Sequence, residues 1–231
     1  MRQGTEVWEL NATQSVDELI PAWEDLLLSC PEASIFSTWE WLSSWWGAYG
    51  ANKELIVLAI PERDGRLLAL APLFVGRKSV APGLSLREIR LLGDGSEDSE
   101  NLALILRPGF EERAIHLLFD YLKTQSNRWD ICSFNTMDSE SSGVRYLLEA
   151  LREYEWPALT SFVPWSVISL PDTWQLYLKN LSSKERGKIG IRTRRLAKRY
   201  SVHFSKCTEA RQLQKCLDAL FELPHQVHKK V

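Results

Sequence analysis

Along the first 170 residues the apolar positions switch between two periods. Leu19, Ile20, Trp23, Leu26 and Leu27 fall at helical spacing. Ser15-Val16-Asp17-Glu18 just ahead of them has the form of a capping box, and Cys30-Pro31 closes the run. A second helix is predicted from about 38 to 49, where Leu42, Trp45, Trp46 and Tyr49 share a face and Gly50 ends it. Strand-like runs surround these helices: a short one at 7–10, then 55–60, 67–75 and 86–92. Arg63-Asp64-Gly65-Arg66 reads as a hairpin turn and Pro82-Gly83 as a loop. The polar segment 93–100 interrupts the last strand, which resumes at 101–106. An amphipathic helix at 110–124, a strand at 129–134, a helix at 143–154 and a long strand at 158–170 complete the pattern. The order is that of an α/β protein with two helices before a strand meander.

After Leu170 the pattern changes. Pro171-Asp172-Thr173 caps a short helix at 174–181. Nine Lys or Arg and one acid then occupy 179–199, and Lys184, Lys188, Arg192, Arg195 and Arg199 lie on one helical face. Gly187 and Gly190 weaken that helix by about 1 kcal/mol each relative to Ala. A short strand at 202–205 and a helix at 210–223, interrupted by Pro224, follow. The expected organisation is a first module at 1–170 and a basic helix with a partial second module at 171–231.

Composition narrows the class. Of 231 residues, 45% are hydrophobic and 25% charged, which excludes a collagen-like or wholly disordered chain. A net charge of -2 argues against a general nucleic-acid coat. No apolar run has the length of a signal peptide or a membrane span. Four cysteines without a CxxC pair make a zinc ribbon or disulfide scaffold an unfavoured reading, and a reduced, cytoplasmic setting is expected. Gly93-Asp94-Gly95 lacks the third glycine of a dinucleotide loop and opens no helix. Ten Trp is a high count for this length, and four of them crowd 39–46.

Four stretches carry a family resemblance. They are Ser34-Ile35-Phe36-Ser37-Thr38-Trp39-Glu40-Trp41 with Trp45-Trp46, Leu70-Ala71-Pro72-Leu73, and Arg90-Leu91-Leu92-Gly93-Asp94-Gly95-Ser96 with Asp98 and Asn101-Leu102. The fourth is Trp174 with Tyr177-Leu178 and Leu181-Ser182-Ser183-Lys184, ahead of the Arg-rich run. In this order they resemble the CelD-like, BioF-type acetyltransferases of the GNAT superfamily, whose members are similar to the FemAB peptidyltransferases in carrying two GNAT-like modules. The resemblance implies a GNAT-like mixed sheet flanked by helices, one complete module here and the start of a second. Family chains continue for well over a hundred residues further, so the resemblance also implies that most of the second module is missing. It implies acyl transfer from acyl-CoA to an amine, on a sugar or cell-envelope precursor. Two alternatives stand beside it: an inactive GNAT-like binding module, and an aminoacyl-tRNA-dependent peptidyltransferase favoured by the basic helix.

That chemistry needs a splayed strand for the pantetheine, a helix N-terminus for the pyrophosphate and a base for the amine. Leu106-Arg107-Pro108-Gly109-Phe110 is the topological place for the cofactor, yet it lacks the family's Arg/Gln-x-x-Gly-x-Gly/Ala pattern, and Pro108 removes an N–H. Asp94, Glu97, Asp98 and Glu100 crowd one loop. Asp98 and Asn101 are the catalytic candidates; Asp94 and Glu100 are candidates for holding the acceptor. Trp39 and Trp41 lie off the helix's apolar stripe and are candidate groove residues, whereas Trp45 and Trp46 are expected in the core. Arg192 and Arg195 are candidates for the phosphates of CoA, or of a tRNA. His225 and His228 stand three apart near Cys216, but no metal site is expected. The acceptor, a small molecule or sugar, and the oligomeric state are not readable from these residues.

Overall fold

The computed structural model describes residues 7–62, 64–96, 98–164, 166, 168–203 and 205–227, with side chains to 222. The chain divides into two compact units, Met1–Val163 and Pro164–Val231. The first unit is a mixed α/β layer structure. Strand β1 (Trp8–Leu10) leads to α1 (Thr13–Asp17), α2 (Ile20–Ser29), a 3₁₀ turn (Ile35–Ser37) and α3 (Trp39–Tyr49). Three strands follow, β2 (Glu54–Pro61), β3 (Leu67–Ala81) and β4 (Leu84–Leu91), then the two-residue β5 (Ile105–Leu106). Helix α4 (Glu111–Thr124), β6 (Ile131–Ser133) and α5 (Ser142–Glu153) complete it. The strand order is β1-β2-β3-β4-β6, with β5 attached to β3. Every pair is antiparallel except β4 with β6, which is parallel.

The central strands are buried on both faces, which is why residues 67–75 read as one unbroken apolar run. Ile56, Leu58, Leu73, Val75, Ile89 and Leu91 pack against Ile115, Leu118 and Phe119 of α4 and Leu147 and Ala150 of α5. The alternate positions Leu55, Val57, Leu70 and Phe74 pack against Trp23 and Leu26 of α2 and Trp39, Leu42 and Trp45 of α3. Local chemistry sets the helix starts. The Ser34 hydroxyl accepts the Phe36 N–H and the Thr38 hydroxyl accepts the Trp41 N–H, so two caps follow one another into α3. Gly83 at φ +78°, after Pro82, makes the tight turn that lets β3 and β4 pair as far as Ala81 and Leu84. The β-ladder therefore runs further into the Pro82-Gly83 region than the expected strands.

Three expectations are corrected. The predicted Ser15 capping box caps nothing: α1 starts earlier, at N-cap Ala12, with no side-chain cap bond. Pro21 lies in the first turn of α2, where its missing N–H is tolerated, so the apolar run stays in one helix and the short α1 ends ahead of it at Asp17. The long strand expected at 158–170 does not form among its described residues. Pro157 and Pro164 have no N–H for a ladder, and Leu159, Phe162 and Val163 are exposed. Of the strand expected at 202–205, Phe204 lies outside the described residues and the other three form none.

The second unit, among its described residues, holds three helices and no strand: α6 (Trp174–Asn180), α7 (Ser183–Arg199) and α8 (Ala210–Val227). Thr173 and Ser182 cap α6 and α7 by accepting the N–H of Leu176 and of Glu185. The Arg186 guanidinium donates to the carbonyls of Leu178 and Lys179, which satisfies the C-terminal end of α6. Gly187 and Gly190 remain helical, and no residue of α6 or α7 is buried. No helix among the described residues is long and apolar enough to cross a membrane.

Helices α4 and α5 are joined by ionisable groups. His116 Nε2 lies 2.6 Å from Glu153 Oε2, and the Tyr154 hydroxyl donates to Asp120. The hydrogen bond to Glu153 raises the His116 pKa above its ordinary value, against a smaller opposing effect of burial. A group whose pKa is raised by folding adds stability below its unfolded pKa and loses it as pH rises through the folded value. The difference in melting temperature between the native chain and His116→Gln is therefore expected to be larger at about pH 5.5 than at about pH 8.5. Equal differences at both pH values, measured by thermal denaturation in one buffer series, would remove this account.

Candidate functional site

The site is built on a strand that serves two partners. On one edge of β3, Leu73 opposes Leu91 of β4, while Leu70 opposes Ile105 of β5. Three residues of β3 thus correspond to fourteen along the facing chain, and the surplus is the polar segment between Leu91 and Ile105. Strand β6 pairs with β4 only through Ile131, Cys132 and Ser133, and β5 is bonded to β3 alone. Among the described residues the other edge of β5 meets no strand, and it borders a small cavity of about 90 Å³. Cys30, Glu32, Ala103, Leu106, Glu111 and Ser142 are among its lining residues.

Helix α3 holds the polar segment in place. The Trp45 indole donates to Ser96 Oγ at 2.7 Å, the Trp41 indole to Ser99 Oγ at 3.0 Å, and the Tyr49 hydroxyl to Asp98 Oδ2 at 2.7 Å. Asp94 is buried and its Oδ2 accepts from Arg90 Nε and Asn135 Nδ2, each at 2.9 Å. The segment is thereby tied to both β4 and the end of β6. Gly95 has φ +93°, and a Cβ there would stand 2.7 Å from the Arg90 guanidinium. Thr136, next to Asn135, has φ 58°, a costly conformation for a β-branched residue. The strained residue therefore sits where β6 leaves the sheet, beside a partner of Asp94.

The structure gathers some of the predicted residues and separates others. Asp98 is exposed on the segment, and its hydrogen bond raises the pKa of Tyr49, so the phenol stays the donor of this bond. Asn101 is exposed in the left-handed region at φ 50°, and Glu100 is exposed beside it. Glu97 lies outside the described residues. Trp41 is half-buried, edge-on to Phe36. Trp39 is corrected from groove to core: it is 4% exposed, packs on Trp23 and donates to Asp17. The reason is register, since Trp39, Leu42 and Trp45 form the inward row of α3. Asp94, expected to hold the acceptor, is taken up by Arg90 and Asn135. Trp45 is in the core as expected, while Trp46 is only partly buried at its margin. Arg192 and Arg195 are exposed on α7, in the second unit. His228 and the His225 side chain lie outside the described residues; among those described, no three His, Cys, Asp or Glu are grouped to hold a metal.

Sequence reasoning missed Ser96, Ser99, Tyr49 and Asn135. The alternation of Ser with acids between Gly95 and Glu100 was the available signal for the two serines. Nothing local marks Asn135, which reaches Asp94 only through the parallel pairing of β4 and β6.

Ser99 is buried, so Ser99→Ala leaves the Trp41 N–H without its acceptor and should cost about 1–3 kcal/mol in urea unfolding. Gly95→Ala should cost about 1–3 kcal/mol, because φ is positive and the Arg90 guanidinium cannot yield without loosening Asp94. A loss below about 0.5 kcal/mol in both would show that the segment is not held as described.

No protein-family model matches the chain, and no curated protein does. Solved structures are similar to it at low identity. A mutant of the BH1408 protein from Bacillus halodurans is 11% identical, with 71% of this chain and 99% of that one covered, at a TM-score of 0.41. An acetyltransferase from Trypanosoma brucei is 15% identical, with 70% and 100% covered, at 0.41. Glucosamine-6-phosphate N-acetyltransferase from Arabidopsis thaliana is 10% identical, with 71% and 99% covered, at 0.37. A likeness this slight does not place the chain in a family.

Proposed function

We propose that the first unit is an acyltransferase module of the GNAT type, which moves an acyl group from acyl-CoA to an amine. The observation that carries the reading is the split partner of β3: β4 and β5 are two parts of one strand line, and β5 keeps an unpaired edge beside the start of α4. Such an edge offers backbone N–H and C=O groups to the amides of a pantetheine chain lying alongside. The residues fit that tail better than they fit the pyrophosphate. Glu111 and Glu112 occupy the first turn of α4, where they oppose an anion, and Arg107 ahead of it is bound to Leu67 O and Asp25. Weak binding of free CoA follows from this.

In the proposed reaction the acceptor ammonium first loses a proton. The amine nitrogen then attacks the thioester carbon, the C–S bond breaks, and the second proton shed by the nitrogen goes to the sulfur, so that CoA leaves as its thiol. Asp98 is the base in this reading. Tyr49 accounts for one of its oxygens and fixes the carboxylate, while the group stays exposed to an incoming amine. Asn101 and Glu100 on the same segment orient the acceptor, and an amino sugar or cell-envelope precursor is the substrate class inferred. The acidic first turn of α4 favours a second reading, a GNAT-like module that binds an amine without transferring an acyl group.

The test is a panel of amino sugars and simple amines assayed with acetyl-CoA by mass spectrometry, together with calorimetric titration of acetyl-CoA. Acetylation of an acceptor, with Asp98→Asn lowering kcat by about 10² or more, is the expected result. Acceptor binding with no acetylated product under any condition would favour the binding module. Acetylation unaffected by Asp98→Asn would remove Asp98 as base.

A further inference from the structure

The unpaired edge of β5 is covered by the chain's own turn at residues 30–34. Cys30 follows the last turn of α2, and its Sγ donates to Leu106 O at 3.0 Å. Two residues on, Glu32 Oε1 accepts the Ser142 N–H at 2.9 Å, at the start of α5. The turn therefore bridges the two walls of the cavity with one bond to the β5 edge and one to the helix beyond it. Between the bonds the backbone closes on itself through Ala33 N–H to Cys30 O, and Pro31, Glu32 and Ala33 are all exposed. Both ties are easily exchanged: a thiol is a weak donor, and an exposed carboxylate has water as a ready alternative to the Ser142 amide. Burial pushes the Cys30 thiol up from its ordinary pKa, so it remains a donor at neutral pH.

The carbonyl that Cys30 occupies belongs to the edge a pantetheine chain would use, and the Glu32 carboxylate stands where an anionic ligand meets negative charge. The space left, about 90 Å³, is far smaller than the roughly 300–1,000 Å³ of a formed ligand pocket.

We propose that residues 30–34 are a latch, held by Cys30 on Leu106 and Glu32 on Ser142, that must lift from the β5 edge before acyl-CoA enters; this rests on the acyltransferase reading of that edge. The closed form is the binding-incompetent member of a two-state equilibrium. Apparent affinity is then reduced by the fraction of molecules that are open. The latch selects against free CoA until an acceptor, or another part of the cycle, favours the open state.

The experiment compares calorimetric titration of acetyl-CoA into the full chain, Glu32→Ala, Glu32→Gln and Cys30→Ala/Glu32→Ala. It is paired with hydrogen exchange at residues 103–106. Glu32 is exposed, so its substitutions are not expected to unfold the chain. Glu32→Ala and the double variant should bind about tenfold more tightly than the native chain and exchange faster at 103–106. Glu32→Gln keeps an acceptor for the Ser142 N–H and should stay close to native. Equal tightening by Gln and Ala would mean that charge alone opposes the ligand and would overturn the latch. Acetyl-CoA binding that is unchanged or weaker in every variant would overturn it while leaving the acyltransferase reading in place. Binding by none of the four proteins would overturn that reading and the latch together.

Discussion

The first unit depends on one constraint, which is that β3 must be covered on both faces and paired on both edges. Nine consecutive residues of it, 67–75, are buried. A strand so placed leaves no backbone group for water, so each segment beside it must take up the ladder. Strand β2 does this along one edge. On the other edge β4 and β5 share the task, and the chain between them has to go elsewhere. The cavity, the polar segment and the exposed position of Asp98 follow from that division of one edge between two partners.

Much of this was legible in the residues. The helical runs follow from periodicity, while the central strands, buried on both faces, show no alternation and are legible as short apolar runs bounded by the turns at Asp64-Gly65 and Pro82-Gly83. What periodicity does not carry is a partner. Residues 158–170 look like a strand by composition, but a strand exists only where a neighbour accepts its hydrogen bonds, and Pro164 within the segment withholds a donor. The same limit applies at the site. Asp94 is visible as an acid in an acidic stretch, but its burial against Arg90 and Asn135 is set by the parallel pairing of β4 and β6. Trp39 shows the limit for a helix: it stands three residues before Leu42 and so on the same face, but a stripe read from Leu42 onward leaves it out.

The tryptophans gain a reason from the structure. Trp23, Trp39, Trp41, Trp45 and Trp129 each donate their indole N–H to an identified acceptor. A Trp brings a large apolar body and one directed polar bond, so it can fill a core and fasten a loop at the same time. On α3 this places the fastening of the polar segment in side chains that already belong to the core. Ser96 and Ser99 supply the acceptors.

The excursion between β4 and β5 has a further consequence for how such a chain can change over generations. Its two ends are set by β3, so the register of the sheet does not depend on how many residues lie between them. Lengthening a flexible segment is cheap, at about 0.6 kcal/mol for each doubling. Insertions beyond Ser99 would leave the ladder and the α3 bonds in place. New side chains can thus be added at the exposed end of this segment, about Glu100 and Asn101, without refolding the unit.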